Sequence, residues 1–579
     1  MDFLSLKMIA GFMYLVVVLL LTTGVGGSFI ASKKQILSRI SLAFPLGFCI
    51  ISLSGIIAKL VGIHIFLIQL LIVSTSLIIF IKKGHYARFR RSFASNKTIF
   101  AVVSLFMLAC IFFLFQMPAW ASGDMEMHAL RLRLFLDDGD MPVSVYPFSS
   151  YWEYYPKAFY FYCYFWLNLL PISLIDILKV VPVAITGFTS LCIYGLARQF
   201  TDKNAAVYAL VFATFLFASH YAYLIWGGYP AAAGELILTS FFLSLFVDRR
   251  LSVVFIFALV MTHTSYVVYA AIILGCWFFL RELVLGRNTR LLFAATAILF
   301  FSVIVIAFVS GSLRSPVFVE SILSDRVQTL KYALLWIPGV VAFPSIWKTV
   351  ERRIEENLFF LAWLAAILGF ALTVDTGLIN FSLIAVDRIL ITAYIPLSVF
   401  AGMTVSGLKV GKYKLLLLAS IGLIVFSGVF LWYIHNWALP EPDFEAIMWL
   451  KKQGFENTAV FNMDSTGRWI YPLTGLPVSV TKESYRRPWW YGIRGEIAKG
   501  PMRATTIRYM DEMKDSYSHV LVYLSNMSTT NPGYKTPFLR NNEGYSTLTT
   551  KDFKGDYNTA IYAKDGAFIF EYLSHDRIG

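Results

Sequence analysis

Residues 120–142 read WASGDMEMHALRLRLFLDDGDMP, and the stretch runs on through aromatic residues to Tyr154, Tyr155, Pro156 and Lys157. It is the longest polar interruption in the hydrophobic first three quarters of the chain. It gathers Asp124, Glu126, His128, Arg131, Arg133, Asp137, Asp138 and Asp140. Gly123 is suited to end the segment before it, and Asp124 is a favourable helix N-cap. Met125 to Leu136 then reads as a helix stopped by Gly139 and Pro142. On that helix Asp124, His128 and Arg131 stand at i, i+4 and i+7, which places a carboxylate, an imidazole and a guanidinium on one face.

What surrounds this helix follows from composition. Of 579 residues, 58% are hydrophobic and only 15% charged, more apolar side chain than a soluble chain of this length can bury. The fold class expected is a polytopic α-helical membrane protein. The formal net charge of +14 falls mainly in short loops between apolar spans, where the positive-inside rule accounts for it, so nucleic acid is not expected as a partner. The five cysteines lie in or beside apolar segments without paired spacing, and support neither a disulfide framework nor a zinc site. Met8 to Ile30 is too long for a signal peptide's apolar core and reads as a retained span.

The basic clusters set an orientation. Lys33, Lys34 and Arg39 follow the first span, and Lys82, Lys83, Arg88, Arg90, Arg91 and Lys97 follow the third; both groups are expected in the cytoplasm. Between them Ile40 to Ile81 forms a hairpin broken near Gly62. Thr98 to Pro118 then carries the Asp124 stretch to the outer face. Phe159 to Leu196 returns inward, Ala205 to Leu224 goes out and Pro230 to Val247 comes back to Arg249 and Arg250. Leu251 to Leu280 is too long for one crossing and has His263-Thr264-Ser265 in its middle, so two short helices fit it better. Leu291 to Ser310, an outer loop carrying Arg314 and Arg326, and crossings at Tyr332 to Trp347, Leu358 to Val374, Leu383 to Val405 and Leu415 to Ile434 complete a set of about fourteen spans. The membrane module thus covers residues 1–435, with an outer loop at 119–157.

Residues 436–579 change character and read as an extracytoplasmic α/β domain. Pro440 to Gln453 is helical in pattern, Thr458 to Asn462 and His519 to Leu524 read as strands, and Thr559 to Ala563 with Ala567 to Tyr572 as a hairpin.

An ionisable side chain near the bilayer centre costs roughly 2.5 to 3.5 kcal/mol on insertion scales. Asp176, Lys179, His220, Glu235, His263, Asp387 and Arg388 all fall in the outer halves of their expected spans. A through-membrane relay needs polar groups at mid-depth and below; this chain concentrates them at the outer interface. That suits a substrate whose polar head sits at the outer leaflet while its tail stays in lipid. Structural roles compete for the same residues. Asp124 can serve as a cap, Glu126 as a solvated side chain, and His128 with Arg131 as an interfacial pair. The three aspartates beside Gly139 fit a solvated helix end, and the aromatic run from Tyr146 to Trp166 an interface belt.

The order of these parts resembles the GT-C superfamily of integral membrane glycosyltransferases: a span, an outer loop opening with Asp124-Met125-Glu126-Met127-His128, a Gly139-Asp140-Met141-Pro142 turn, many further spans and a C-terminal outer domain. Distant similarity extends to oligosaccharyltransferase catalytic subunits and protein mannosyltransferases. Ala446 to Leu450 followed by Thr458 to Asn462 and Gly467-Arg468-Trp469-Ile470 is similar to the start of the oligosaccharyltransferase soluble domain. The Trp-Trp-Asp-Tyr-Gly signature of that subunit is absent, Met463 to Gly467 standing in its place, and Trp489-Trp490-Tyr491-Gly492 further on lacks the aspartate. The resemblance implies a sugar donor linked to polyprenyl or dolichyl phosphate and, by position, puts Asp124 in the place of the first-loop acid. The departure favours a monosaccharide transferase over sequon recognition.

The expected chemistry follows. Asp124 is the candidate general base toward an acceptor hydroxyl, with Glu126 and His128 tuning it. Arg388, with Arg131 and Arg314 beside it, is the candidate group for the leaving lipid phosphate. Tyr155, Lys157, Tyr229, Glu235, His263 and Asp387 are expected to line the substrate pocket. Direct displacement inverts the anomeric centre. A monophosphate donor calls for no cofactor; for a diphosphate donor Asp124 and Glu126 are the candidate ligands of a divalent metal, magnesium or manganese. The acceptor is a glycan, lipid or protein, and the location expected is the cell membrane, multi-pass. Alternatives are an oligosaccharyltransferase-like ligase acting on protein, a non-enzymatic lipid-linked sugar transporter, and an outer-surface receptor or scaffold.

Overall fold

The computed structural model describes residues 3–30, 36–120, 124–139, 157–285, 337–352, 354–375, 390–408, 413–462, 466–478, 510–511, 513–524, 558–564 and 567–572. The chain forms two compact units: residues 1–113, 155–170 and 179–431, and residues 114–154, 171–178 and 432–579. The segment around Asp124, expected as a loop of the membrane module, therefore belongs to the same compact unit as the C-terminal region.

The helices, in chain order, are α1 (Phe3–Phe29), α2 (Ile36–Val61), α3 (Ile65–Lys82), α4 (His85–Ser95), α5 (Lys97–Phe115), α6 (Met125–Asp138), α7 (Ala158–Leu169) and α8 (Leu174–Phe200). They continue as α9 (Lys203–Val211), α10 (Ala218–Trp226), α11 (Tyr229–Val247), α12 (Arg249–Thr262), α13 (Thr264–Leu285), α14 (Phe343–Arg352), α15 (Leu358–Asp375), α16 (Tyr394–Gly407) and α17 (Lys414–Trp437). Two more, α18 (Glu441–Gln453) and α19 (Ile470–Thr474), lie in the C-terminal region. Among the described residues nine spans are long and apolar enough to cross a membrane, so the chain is a polytopic helical membrane protein. The expected hairpin is α2 and α3, turned at Gly62 with φ +72°.

The first unit is a helical bundle in which the α1–α2 crossing is built on glycine. A Cβ placed on Gly26 would stand 1.8 Å from the carbonyl oxygen of Ala43, and one on Gly47 1.9 Å from that of Thr22. Only glycine lets the α1 and α2 backbones approach so closely. Thr22 Oγ1 also meets the Tyr162 hydroxyl of α7 at 2.7 Å. Elsewhere Phe106, Phe215, Tyr221, Phe426 and Phe430 pack ring on ring.

Two apolar stretches are interrupted, the one expected as the Ala205–Leu224 span and the one expected as two short helices around His263. A π turn at Phe212–Leu216 followed by extended Phe217 separates α9 from α10, and extended His263 (φ −166°, ψ 101°) separates α12 from α13. His263 is itself the extended residue of its break, whereas His220 lies in the first turn of α10, just after extended Phe217. The described part of the crossing expected at Tyr332 to Trp347 begins as a 3₁₀ segment (Ile337–Ala342) and passes into the short α14. Pro338, Gly339 and Pro344 interrupt the run, and α14 exposes Phe343, Trp347 and Val350 while also carrying Lys348, Glu351 and Arg352, the pattern of an interfacial helix. The expected spans at 291–310 and 383–389 and the Arg314 loop lie outside the described residues.

In the second unit a four-stranded sheet has the order β1 (Thr458–Asn462), β2 (His519–Leu524), β4 (Ala567–Tyr572), β3 (Asn558–Lys564). β1 and β2 pair in parallel, which requires a crossover between them; the other neighbours are antiparallel. Ala459, Phe461, Val520, Val522, Phe570 and Tyr572 join Met510 and Met513 in one core. Ala446, Ile447 and Leu450 form the buried stripe of α18, and the Tyr523 hydroxyl donates to buried Asp443 at 2.8 Å.

Candidate functional site

The second unit assembles its polar site around α6. Asp124 occupies the N-cap position, and its carbonyl accepts from the His128 amide at 3.1 Å. Its side chain makes no capping hydrogen bond, which departs from expectation: with φ −106° and ψ −1° it lacks the extended backbone that turns a cap side chain onto the first turn. Asp124 is half-buried, and immediately after it the helix is deeply enclosed, with Glu126 at 2% exposure, His128 at 0% and Arg131 at 2%. Glu126 is thus not the solvated side chain that sequence position alone allows.

A residue 342 positions away completes the arrangement. Arg468 Nη1 donates to Glu126 Oε1 at 3.3 Å, with both side chains buried. Beside it Trp469 Nε1 donates to the Trp120 carbonyl at 2.9 Å, and the Leu439 amide donates to the Ala119 carbonyl at 2.8 Å. Trp120 and Ala438 form an isolated β-bridge. The acidic helix is therefore fastened at its start by backbone pairing and in its first turn by an ion pair. Sequence reasoning had Gly467-Arg468-Trp469 only as part of a family-like stretch; the demand of buried Glu126 for a cation was the physical signal for Arg468.

Toward its other end α6 is wetter. Arg133 Nε pairs with Asp137 at 2.9 Å across one helical turn, and Gly139 closes the helix at φ +65°. Tyr471 of α19 lies against this end. Burial raises its phenol above the ordinary tyrosine range, the negative charge of Asp137 adds to the rise, and Arg133 opposes it.

In the first unit a second polar cluster lies inside the bundle. Tyr394 of α16 donates its hydroxyl to Glu235 Oε1 of α11. The Tyr394 hydroxyl oxygen also lies 2.7 Å from His220 Nδ1 of α10, and His220 Nε2 lies 2.7 Å from Ser190 Oγ of α8. Because the single phenolic proton goes to Glu235, the Tyr394 oxygen accepts from Nδ1–H. The Ser190 hydroxyl also lies 3.3 Å from the Thr186 carbonyl, to which it can donate. Glu235 Oε2 is buried with no hydrogen-bonding partner among the described residues. His263 packs at the neighbouring Gly234, where a Cβ would come 3.0 Å from His263 Cβ, and Tyr229 is buried against Phe159. Lys157 stands at the start of α7.

The expected residues thus divide. Asp124 at the N-cap and Glu126, His128 and Arg131 on α6 lie in the second unit; Glu235, His263, Tyr229 and Lys157 lie in the first, His263 against Gly234. Tyr155, Arg314, Asp387 and Arg388 are outside the described residues. Ser190, His220 and Tyr394 complete a hydrogen-bonded set around Glu235 that sequence reasoning did not assemble. Among the described residues no group of three or more His, Cys, Asp or Glu is placed to hold a metal ion, and the Glu126 carboxylate faces a guanidinium.

No protein-family model and no curated protein matches the chain. Among solved structures it is similar to the oligosaccharyltransferase of Archaeoglobus fulgidus tethered with an acceptor peptide containing the NVT sequon. That match has 11% identity and a TM-score of 0.46, over 76% of this chain and 70% of that one. It is also similar to the archaeal oligosaccharyltransferase AglB from the same organism in complex with an inhibitory peptide and a dolichol-phosphate, at 12% identity and a TM-score of 0.48, over 84% and 75% of the two chains.

Proposed function

We propose that this chain is a membrane glycosyltransferase that moves a sugar from a polyprenyl-phosphate-linked donor to an acceptor hydroxyl at the outer face of the membrane, with inversion. The observation that carries the reading is the buried Glu126–Arg468 pair. Desolvating two charges is costly, and here they fix the first turn of the helix that opens at Asp124, whose own carboxylate is not used as a cap.

In the reaction the acceptor oxygen attacks the anomeric carbon while the bond from that carbon to the phosphate oxygen breaks. The electron pair leaves with the lipid phosphate. The hydroxyl proton passes to Asp124, which acts as general base and later releases it to water. Glu126 and His128 are enclosed side chains and act as positioning residues for that carboxylate. Arg131, with Arg314 and Arg388, supplies the positive charge that favours the leaving phosphate. Glu235, one of whose oxygens has no hydrogen-bonding partner among the described residues, is suited to accept a hydrogen bond from a sugar hydroxyl, with His263, Tyr229, Lys157, Tyr155 and Asp387 proposed as further substrate-pocket residues. No step is routed through a metal.

The test is transfer of radiolabelled sugar from a panel of polyprenyl-phosphate and diphosphate sugars to glycan, lipid and peptide acceptors. Wild type and Asp124→Asn are compared in reconstituted membranes. Turnover in the wild type that falls at least a hundredfold in Asp124→Asn, with folding and donor binding kept, supports the assignment. Transfer to peptide asparagine alone would replace it with the protein-ligase alternative. Absence of transfer from every donor by folded wild type would overturn it.

A further inference from the structure

Three spans begin around one cavity in the first unit. It has a volume of about 220 Å³ and is lined by Ser95, Asn96, Lys97, Thr98 and Ile99 at the start of α5, by Lys203, Asn204, Val207 and Tyr208 of α9, and by Leu415 of α17. Lys97 and Lys203 are exposed, and neither forms an ion pair among the described residues. No carboxylate lines the cavity. The neighbouring acid, Asp202, caps α9 by accepting from the Asn204 and Ala205 amides at 2.7 and 3.0 Å. Lys414 stands at the rim, with Nζ 5.1 Å from the ring of Tyr208 and hydrogen-bonded to the Val405 and Leu408 carbonyls at 3.2 and 3.1 Å.

The cavity has two kinds of wall. The two ammonium groups, without an ion pair among the described residues, form the polar one with hydroxyl and amide side chains; Ile99, Val207 and Leu415 form an apolar one. The helix leading into it, α4, exposes Arg90 and Arg91 together with Tyr86 and Phe93, the composition of a helix lying in a membrane interface. We propose that this cavity binds the phosphate of an anionic phospholipid on the membrane face where α5, α9 and α17 begin. The lysines neutralise the phosphate, and the apolar wall takes the first carbons of the lipid. The volume matches a headgroup rather than a whole lipid. On the topology read from the basic loops this face is the cytoplasmic one, opposite the proposed transfer site, so the two readings stand or fall separately.

The purified chain is titrated with short-chain phosphatidylglycerol and with phosphatidylcholine, and bound lipid is counted by native mass spectrometry. The expected result is preferential binding of phosphatidylglycerol that weakens about thirtyfold in the Lys97→Gln, Lys203→Gln double variant. It should not weaken in the charge-matched control Lys451→Gln, Lys452→Gln, whose lysines lie on exposed positions of α18. Competition by millimolar inorganic phosphate would keep the site and move its source to a soluble phosphate. Equal phosphatidylglycerol binding by the double variant and wild type, both folded by thermal melting, would overturn the proposal.

Discussion

Arg468 holds Glu126 across 342 residues of sequence, guanidinium to carboxylate at 3.3 Å, with exposures of 7% and 2%. A buried pair is destabilising to break and far less so to replace whole. Arg468→Ala, which strands the Glu126 charge, is expected to cost about 3–5 kcal/mol, whereas Arg468→Met combined with Glu126→Leu recovers most of that stability. If the pair also positions Asp124, the double variant regains folding but not sugar transfer. Thermal unfolding in detergent and the transfer assay, run on the same preparations, separate the two roles.

The Tyr394 hydroxyl serves Glu235 and His220 at once. Tyr394→Phe leaves a buried carboxyl and a buried imidazole without their shared partner. It should destabilise the protein by about 2–4 kcal/mol, against about 0.5–1.5 kcal/mol for Ser190→Ala at the end of the chain of bonds. Chemical denaturation that gave both variants the same loss would contradict the cooperative arrangement.

Glycine positions supply a control on packing. Gly47→Ala drives a methyl group to 1.9 Å from the Thr22 carbonyl oxygen, and the helices must separate, at a cost of about 1–3 kcal/mol or more. Gly428→Ala in α17 meets nothing within 4 Å and is expected to stabilise by about 0.5–1 kcal/mol through better helix propensity. Melting temperatures should move in opposite directions.

Tyr471 sets a pH dependence of known sign. Its phenol is raised in the folded chain, first by burial and then by Asp137, so the unfolded chain ionises first as pH climbs past about 10. The stability this residue contributes is full below that value and is lost as pH rises through the folded value. Tyr471→Phe should flatten the alkaline loss relative to wild type, measured as melting temperature between about pH 9 and 11.

Much of this molecule is legible from local pattern. Apolar runs longer than a bilayer's width give helices wherever they occur, because a backbone in lipid must satisfy its own hydrogen bonds. So α2 and α3 with their turn at Gly62, the break at His263, and the strands at 458–462 and 519–524 all follow from hydropathy and turn residues. In the described part of the expected Tyr332–Trp347 crossing, 337–347, the interruption has an equally local reason: Pro338, Gly339 and Pro344 stand among the apolar residues. Asp124 was recognised as the start of a helix from its type and place.

What the sequence by itself determined was therefore which segments are helix, strand or interruption, and which acidic stretch stands apart from the rest. Only the tertiary structure decided that Glu126 is buried and needs Arg468, that the Asp124 side chain does not cap its helix, and that Tyr394 joins Glu235 to His220. Hydropathy and periodicity are properties of neighbours along the chain. The partner of a buried charge is fixed by the free energy of removing it from water, and that partner can come from anywhere the fold brings within about 3 Å.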